Sequence, residues 1–234
     1  MSLEVYFHGR RDQARVALTF DDGPNPPRTD DVLEILDAAG VPATFFVIGK
    51  WVERFPSSLE RIIRAGHVVG NHSYSHHYRV GDYDKAEAVI TNQTGRRSIF
   101  TRAHGFDYGS LSQSVFAQLP TTRIIDADVN PADYAQTDPE AIVNAVLESE
   151  NLDNGSIIDL HDGSELDDDA QRLARPLPMI DALPRIIEGI KQRGLQPVRL
   201  DEIELIEPRL WPEQLDDRMV ISPTGRGLSL RVPS

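Results

Sequence analysis

Leu18-Thr19-Phe20-Asp21-Asp22-Gly23-Pro24 is the stretch on which the fold reading turns. An apolar run, Val16 to Phe20, ends in two adjacent carboxylates, and Gly23, Pro24, Pro26 and Pro27 then forbid further strand or helix. This pattern predicts a buried strand that delivers an acidic pair to a turn. In α/β folds the chemistry collects at the C-terminal ends of such strands. Two neighbouring carboxylates repel unless a cation or a proton separates their roles. Neighbours on a strand point to opposite sides, but a turn at the strand end lets both face one site. Asp-Gly and Gly-Pro are also ordinary turn formers, so the stretch alone reads equally well as a surface turn.

A second stretch decides between these. Gly70-Asn71-His72-Ser73-Tyr74-Ser75-His76 follows another short apolar run, His67 to Gly70. His72 and His76 are four apart, so one helical turn would put both imidazoles on one face. With the acidic pair upstream, the ligand set becomes Asp, His and His. That set suits zinc and, with open positions, iron, cobalt or manganese.

Outward from these two stretches, strands and helices alternate. Expected strands are Val16–Phe20, Ala43–Ile48, His67–Gly70, Ser98–Thr101, Thr122–Ala127, Ser156–Leu160 and Leu195–Leu200. Expected helices are Thr29–Ala39 stopped by Gly40, Val52–Ala65 with Pro56 in it, Asp84–Gln93 and Leu111–Leu119. Two more follow: Pro139–Glu148 capped by Asp138, and Leu177–Arg193. Alternation of this kind means parallel βαβ units in an α/β fold, open or closed into a barrel. The segment Gly227 to Val232 alternates and reads as an added edge strand.

TFDDGP and HSYSH, in this order, resemble the first two motifs of the polysaccharide deacetylases, the NodB-homology domain of carbohydrate esterase family 4. The resemblance runs from Val16 to Ile203, supported by Ala43 to Gly49, Ile62 to His76 and Ser156 to Gly163. It implies a distorted, incomplete (β/α) barrel of about seven parallel strands. Residues 1–203 would be the catalytic domain and 204–234 a C-terminal extension of it. It also implies a hydrolase that removes N-acetyl groups from a carbohydrate. Asp22, His72 and His76 would hold a divalent ion: zinc, with cobalt, manganese, iron or nickel as alternatives. Asp21 would be the catalytic base, oriented by Arg102. His161 would be the general acid, held by Asp133, with Tyr134 where the family places a tryptophan.

Two departures matter. The family usually has a leucine two residues before the acid histidine, where it helps form the acetyl pocket; here Asp159 stands there. Either Asp159 points elsewhere, or Leu160 takes the role, or the pocket accepts another acyl group. The Arg102 segment lacks the family's prolines, and its His104 reads as an incidental loop residue or a substrate contact. An O-acetyl esterase, a deformylase acting on another sugar, and a catalytically impaired sugar-binding homologue are the alternative readings.

Composition narrows the field. The 234 residues include no cysteine, which excludes disulfides, thiol nucleophiles and thiolate metal sites. A net charge of −13 argues against nucleic acid as a partner, and no apolar run is long enough for a membrane span. The partner expected is an acylated carbohydrate. Trp51 and Trp211 read as packing residues, and the acidic stretch Ser164 to Arg175 as a solvated loop. The start, Met1 to His8, lacks the basic region and apolar stretch of a signal peptide. That fits a cytoplasmic protein or a chain whose leader has been removed. Oligomeric state has no signature in the sequence.

Overall fold

A computed structural model describes residues 3–77, 81–106, 123–164, 166, 177–211, 219–221 and 228–230. At its centre lies β2 (Arg15–Gly23), buried from its second residue onward. On one side follow β3 (Thr44–Val47), β4 (Val68–Asn71), β5 (Phe100–Thr101), β6 (Arg123–Ile125) and β1 (Leu3–Tyr6); on the other lies β7 (Ile157–His161). All neighbours in this series pair in parallel. The number, seven, is the one expected, and six of the seven are expected strands; β1 takes the place in the series that the expected strand Leu195–Leu200 does not fill. β8 (Gln196–Val198) pairs in parallel with the first residues of β2, and β9 (Arg209–Trp211) adds an antiparallel edge to β1.

The sheet curls without closing. Among the described residues its two flanks are joined by isolated bridges, His8 with Ser156 and Val129 with Ile158, and not by a continuous ladder. The result is the incomplete (β/α) barrel. Outside it pack α1 (Arg28–Ala39), α2 (Gly49–Arg54), α3 (Pro56–Arg64), α4 (Asp82–Thr94), α5 (Pro139–Leu147) and α6 (Pro178–Gln192). Among the described residues no helix is long and apolar enough to cross a membrane.

Strand alternation sorts the side chains into two cores. Val16, Leu18, Phe20, Phe45, Val47, Ile158 and Leu160 face outward, packed with Leu36, Ile142, Leu183 and Ile186 of the helices. Ala17, Phe46, Phe100, Ile125 and Ile157 face inward and form an apolar floor. Above that floor, toward the strand C-termini, the inward positions turn polar: Thr19 and Asp21 on β2, Asp159 and His161 on β7.

Several expectations hold locally. Gly40 ends α1 in the left-handed region at φ 63°, and Asp138 caps α5 by accepting from the Glu140 N–H. Others need correction. The helix expected over Val52–Ala65 is two helices, broken at Phe55, because Pro56 opens α3 and cannot continue α2. β2 does not stop at Phe20 but carries the acidic pair within it. β1 and β9 were not expected at all. The C-terminal strand is β11 (Leu228–Leu230), but it pairs with β10 (Met219–Ile221) in a separate hairpin and not with the main sheet. The helix expected at Leu111–Leu119, the acidic residues Glu165, Asp167, Asp168 and Asp169, and the side chain of Trp211 lie outside the described residues.

Candidate active site

The acidic pair converges because β2 carries an extra residue at its end. Its register with β3 shifts between Asp21 and Gly23, and Asp22 sits in the left-handed region at φ 73°. A bulge of this kind re-aims a side chain. It cancels the alternation that would otherwise put Asp21 and Asp22 on opposite faces. The conformation costs about 1–3 kcal/mol and needs surrounding structure to impose it. Asp162 and Gly163 supply that structure. The Asp162 N–H donates to the Asp21 carbonyl at 3.2 Å. Its buried carboxylate accepts from Thr29 Oγ1 at 2.5 Å. Burial pushes that carboxyl up to about 7. A Cβ on Gly163 would lie 2.0 Å from the Asp22 carbonyl oxygen. Gly163→Ala is therefore expected to destabilise the fold by about 1–3 kcal/mol and to weaken divalent-ion uptake, read by denaturant titration and metal analysis.

The two histidines arrive by a loop, not a helix. Residues 72–77 form bends, with Ser73 at φ 69° and His76 at φ 60°. This corrects the helical-turn expectation: the i, i+4 spacing brings the rings together through a tight loop. The loop is pinned from several directions. The His72 N–H donates to the Val47 carbonyl, and Ser73 N–H to Asn71 Oδ1 at 2.9 Å. Asp82, in the first turn of α4, accepts from the N–H groups of Tyr74 and Ser75 at 3.1 and 2.9 Å. His72 Nδ1 donates to the Arg102 carbonyl at 3.1 Å, which leaves Nε2 as the lone-pair nitrogen.

Asp22, His72 and His76 meet at one point. Asp22 Oδ1 lies 3.5 Å from His72 Nε2 and 3.2 Å from His76 Nε2. Burial alone would raise the Asp22 pKa, but His72 and His76 beside it hold it well below the usual range. Burial pulls His72 down, and the two aspartates outweigh it and raise it. The set fits a divalent ion. Among the described residues its buried carboxylate oxygen has no hydrogen-bond donor, two imidazole nitrogens face it, and His72 is fixed in the ligating tautomer. His104 is buried, with its ring centroid 4.5 Å from that of His76. Burial, then His76 and His72, holds it neutral, down at about 3.

Asp21 and Arg102 form the next layer. Arg102, on the residue after β5, is wholly buried with its guanidinium 4.2 Å from the Phe46 ring centroid. Its Nη1 donates to Asp21 Oδ1 at 2.8 Å, to Thr19 Oγ1 at 2.8 Å and to Asp159 Oδ1 at 3.2 Å. Its Nη2 donates to the Asp126 carbonyl at 3.2 Å. The other oxygen of Asp21, Oδ2, lies 3.6 Å from His72 Nε2. Asp21 thus stands between a fixed cation and the three-residue ligand set.

His161 closes the site from β7. Asp133, in a short 3-10 turn at Asp133–Ala135, accepts from His161 Nδ1 at 2.8 Å and from its backbone N–H at 2.9 Å. That double contact fixes the ring and leaves Nε2 pointing away from Asp133. Tyr134 meets the His161 ring edge-on at 5.1 Å and is half exposed. Asp159 points inward, to Arg102. Leu160 points outward into the core against the helices and is the one predicted site residue not brought to the cluster. Alternation requires this: Asp159, not its neighbour, shares a face with His161. Trp51 packs as expected, its indole N–H donating to the Ser164 carbonyl at 3.0 Å.

Four residues of the cluster were missed: Thr19, Asp82, Asp126 and Asp162. Thr19 had a signal, since it is a polar residue at an inward position of an otherwise apolar strand. The others act through contacts distant in sequence and carry none.

Residues 8–113 match the family profile described as polysaccharide deacetylase. A peptidoglycan-N-acetylglucosamine deacetylase of Bacillus cereus is 33% identical over 207 residues, covering 83% of this chain and 70% of that protein. A chitooligosaccharide deacetylase of Sinorhizobium fredii is 36% identical over 188 residues, covering 76% and 86%. Among solved structures, a peptidoglycan N-acetylglucosamine deacetylase superimposes with a TM-score of 0.73 at 31% identity, covering 86% of this chain and 92% of that one.

Proposed function

The chain belongs to the polysaccharide deacetylase family, and from that premise we propose that it hydrolyses the N-acetyl group of N-acetylglucosamine units in a glycan, with the residues assembled above. One observation carries the reading: a proton acceptor, Asp21, and a proton donor, His161, flank a three-residue ligand set, and each has its own fixed partner.

Asp22, His72 and His76 would hold a divalent ion, for which zinc is the first candidate among the ions that two histidines and one carboxylate suit. Such an ion supplies Lewis acidity, making a water more acidic and polarising the acyl carbonyl. The chain's own side chains move the protons. Asp21 accepts the proton of the attacking water as its oxygen bonds to the acyl carbon. Arg102 keeps that carboxylate aimed. As the carbon–nitrogen bond breaks, His161 delivers a proton from Nε2 to the leaving amine, while Asp133 holds the ring. The acyl group departs as a carboxylic acid and the sugar keeps a free amine. Tyr134, exposed beside His161, offers an aromatic wall for a sugar ring.

Acetate release from chelator-stripped protein, before and after zinc, tests this. The panel is N-acetylglucosamine oligomers, peptidoglycan fragments and O-acetyl xylan. The expected result is no release without metal and zinc-restored release from the N-acetylated substrates. Release from the O-acetyl substrate alone would replace deacetylase with esterase, and no release from a zinc-loaded protein would sink the catalytic reading.

A further inference from the structure

Asp159 has contacts that the mechanism above does not use. It is wholly buried on the inward face of β7, two residues before His161. Its Oδ1 shares Arg102 Nη1 with Asp21. Its Oδ2 is buried without a hydrogen-bond partner among the described residues. One side-chain atom from each of Asp21, Asp159 and His161 falls within 4.8 Å of the others. This triangle is not a second cation site, because the Arg102 guanidinium already serves it. A buried carboxylate with an unsatisfied oxygen costs about 1–3 kcal/mol or more, a penalty that a hydrocarbon side chain would avoid. Something in the site must use the charge.

We propose that Asp159 is a further positioning residue of the deacetylation, acting through His161: it faces the imidazole from the same side of β7 and, together with Asp133, keeps it in the form that can deliver a proton. The inference rests on the reading of His161 as proton donor. The charged groups around His161 are Asp133 from the 3-10 turn, Asp159 from its own strand, and Asp21 and Asp22 from β2, with Arg102 as the neighbouring cation. Burial pulls His161 down, but Asp159, followed by Asp133, outweighs it and lifts the imidazole well above its ordinary range. Burial, followed by Asp21, pushes the Asp159 carboxyl up to about 8. One proton therefore has two claimants, and the direct Asp133 contact at Nδ1 gives it to the imidazole. A proton donor works below its pKa and fails above it. Removing the Asp159 charge lets His161 lose its proton sooner, so activity falls off at lower pH.

The test is kcat/KM against pH for zinc-loaded wild type, Asp159→Asn and Asp159→Leu. Asn keeps the shape and an acceptor for Arg102, whereas Leu keeps neither. Both variants are expected to show the alkaline limb displaced downward by about one pH unit, with about tenfold loss on that limb and unchanged zinc content. If Asp159 merely props Arg102, Asp159→Asn will follow the wild type and Asp159→Leu will lose activity evenly at every pH, which overturns the inference. Ring-nitrogen NMR of His161 in the zinc-loaded proteins reads the same displacement without turnover. A lowered His161 titration in a protein that deacetylates nothing sinks only the deacetylase reading. An unmoved titration sinks the role of Asp159.

Discussion

Asp21→Asn is expected to lower kcat on an N-acetylated glycan by about 10²–10⁴ while the protein still takes up zinc. The two adjacent aspartates have different surroundings. Asp22 Oδ1 faces His72 and His76 Nε2, whereas Asp21 gives Oδ1 to Arg102. Asparagine at position 21 keeps the shape and can still accept from Arg102 through its carbonyl oxygen. It cannot take a proton from water. The loss therefore falls on turnover, with KM and metal content near wild type. Wild-type turnover in a zinc-loaded Asp21→Asn protein would remove Asp21 from the mechanism. Loss of zinc together with activity would move Asp21 into the ligand set.

Arg102→Met is expected to cost about 3–5 kcal/mol of stability, the largest effect on the fold of any single change in the site. Arg102 is wholly buried and is the cation for two buried carboxylates, Asp21 at 2.8 Å and Asp159 at 3.2 Å. Methionine fills much of the space over Phe46 but leaves both carboxylates without a counter-charge. Denaturant midpoints measure the loss. Adding Asp159→Leu to Arg102→Met is expected to recover part of it, because one of the two stranded charges is then gone. Strict additivity of the two changes would show that Asp159 and Arg102 are not coupled. Arg102→Lys is expected to restore the charge but not the fork, since the Asp126 carbonyl is reached by Nη2 while Nη1 serves Asp21, Thr19 and Asp159.

How much of this was legible can be judged residue by residue. The acidic pair was legible only together with the histidine stretch, because Asp-Gly and Gly-Pro on their own read equally well as a surface turn. The way the pair converges was not legible. The bulge at Asp22 depends on pairing with β3 and on the backbone of Gly163, neither of which is local. The histidine spacing pointed to the right partners by the wrong route, since four residues of separation fit a helical turn and a tight loop alike. Arg102, Asp133 and His161 rested on the resemblance to a family, and the structure brings all three to the cluster. The direction of Asp159 was available from strand parity, because residues two apart on β7 share a face. His104 was legible only as a loop residue or a substrate contact, because nothing local shows that its ring lies beside His76 on a different loop. β1 is four residues long and its pairing partner is β6, far along the chain, so no local pattern marks it.

The placement of β2 between its neighbours divides the site in two. Asp22 and the histidine loop stand on the flank of β2 that carries β3 and β4. His161 and its Asp133 support stand on the β7 flank. The halves meet where Asp162 and Gly163, just beyond β7, brace the bulge at Asp22, but the hydrogen bonds that hold the His161 ring and those that pin the histidine loop are separate. In heredity the two halves are therefore separable. On the proposed mechanism, a single change at His161 or Asp133 would silence the reaction and leave the Asp22, His72 and His76 half intact. Descendants of such an ancestor would keep the barrel and the ion, free to be selected for gripping a glycan instead of cutting it.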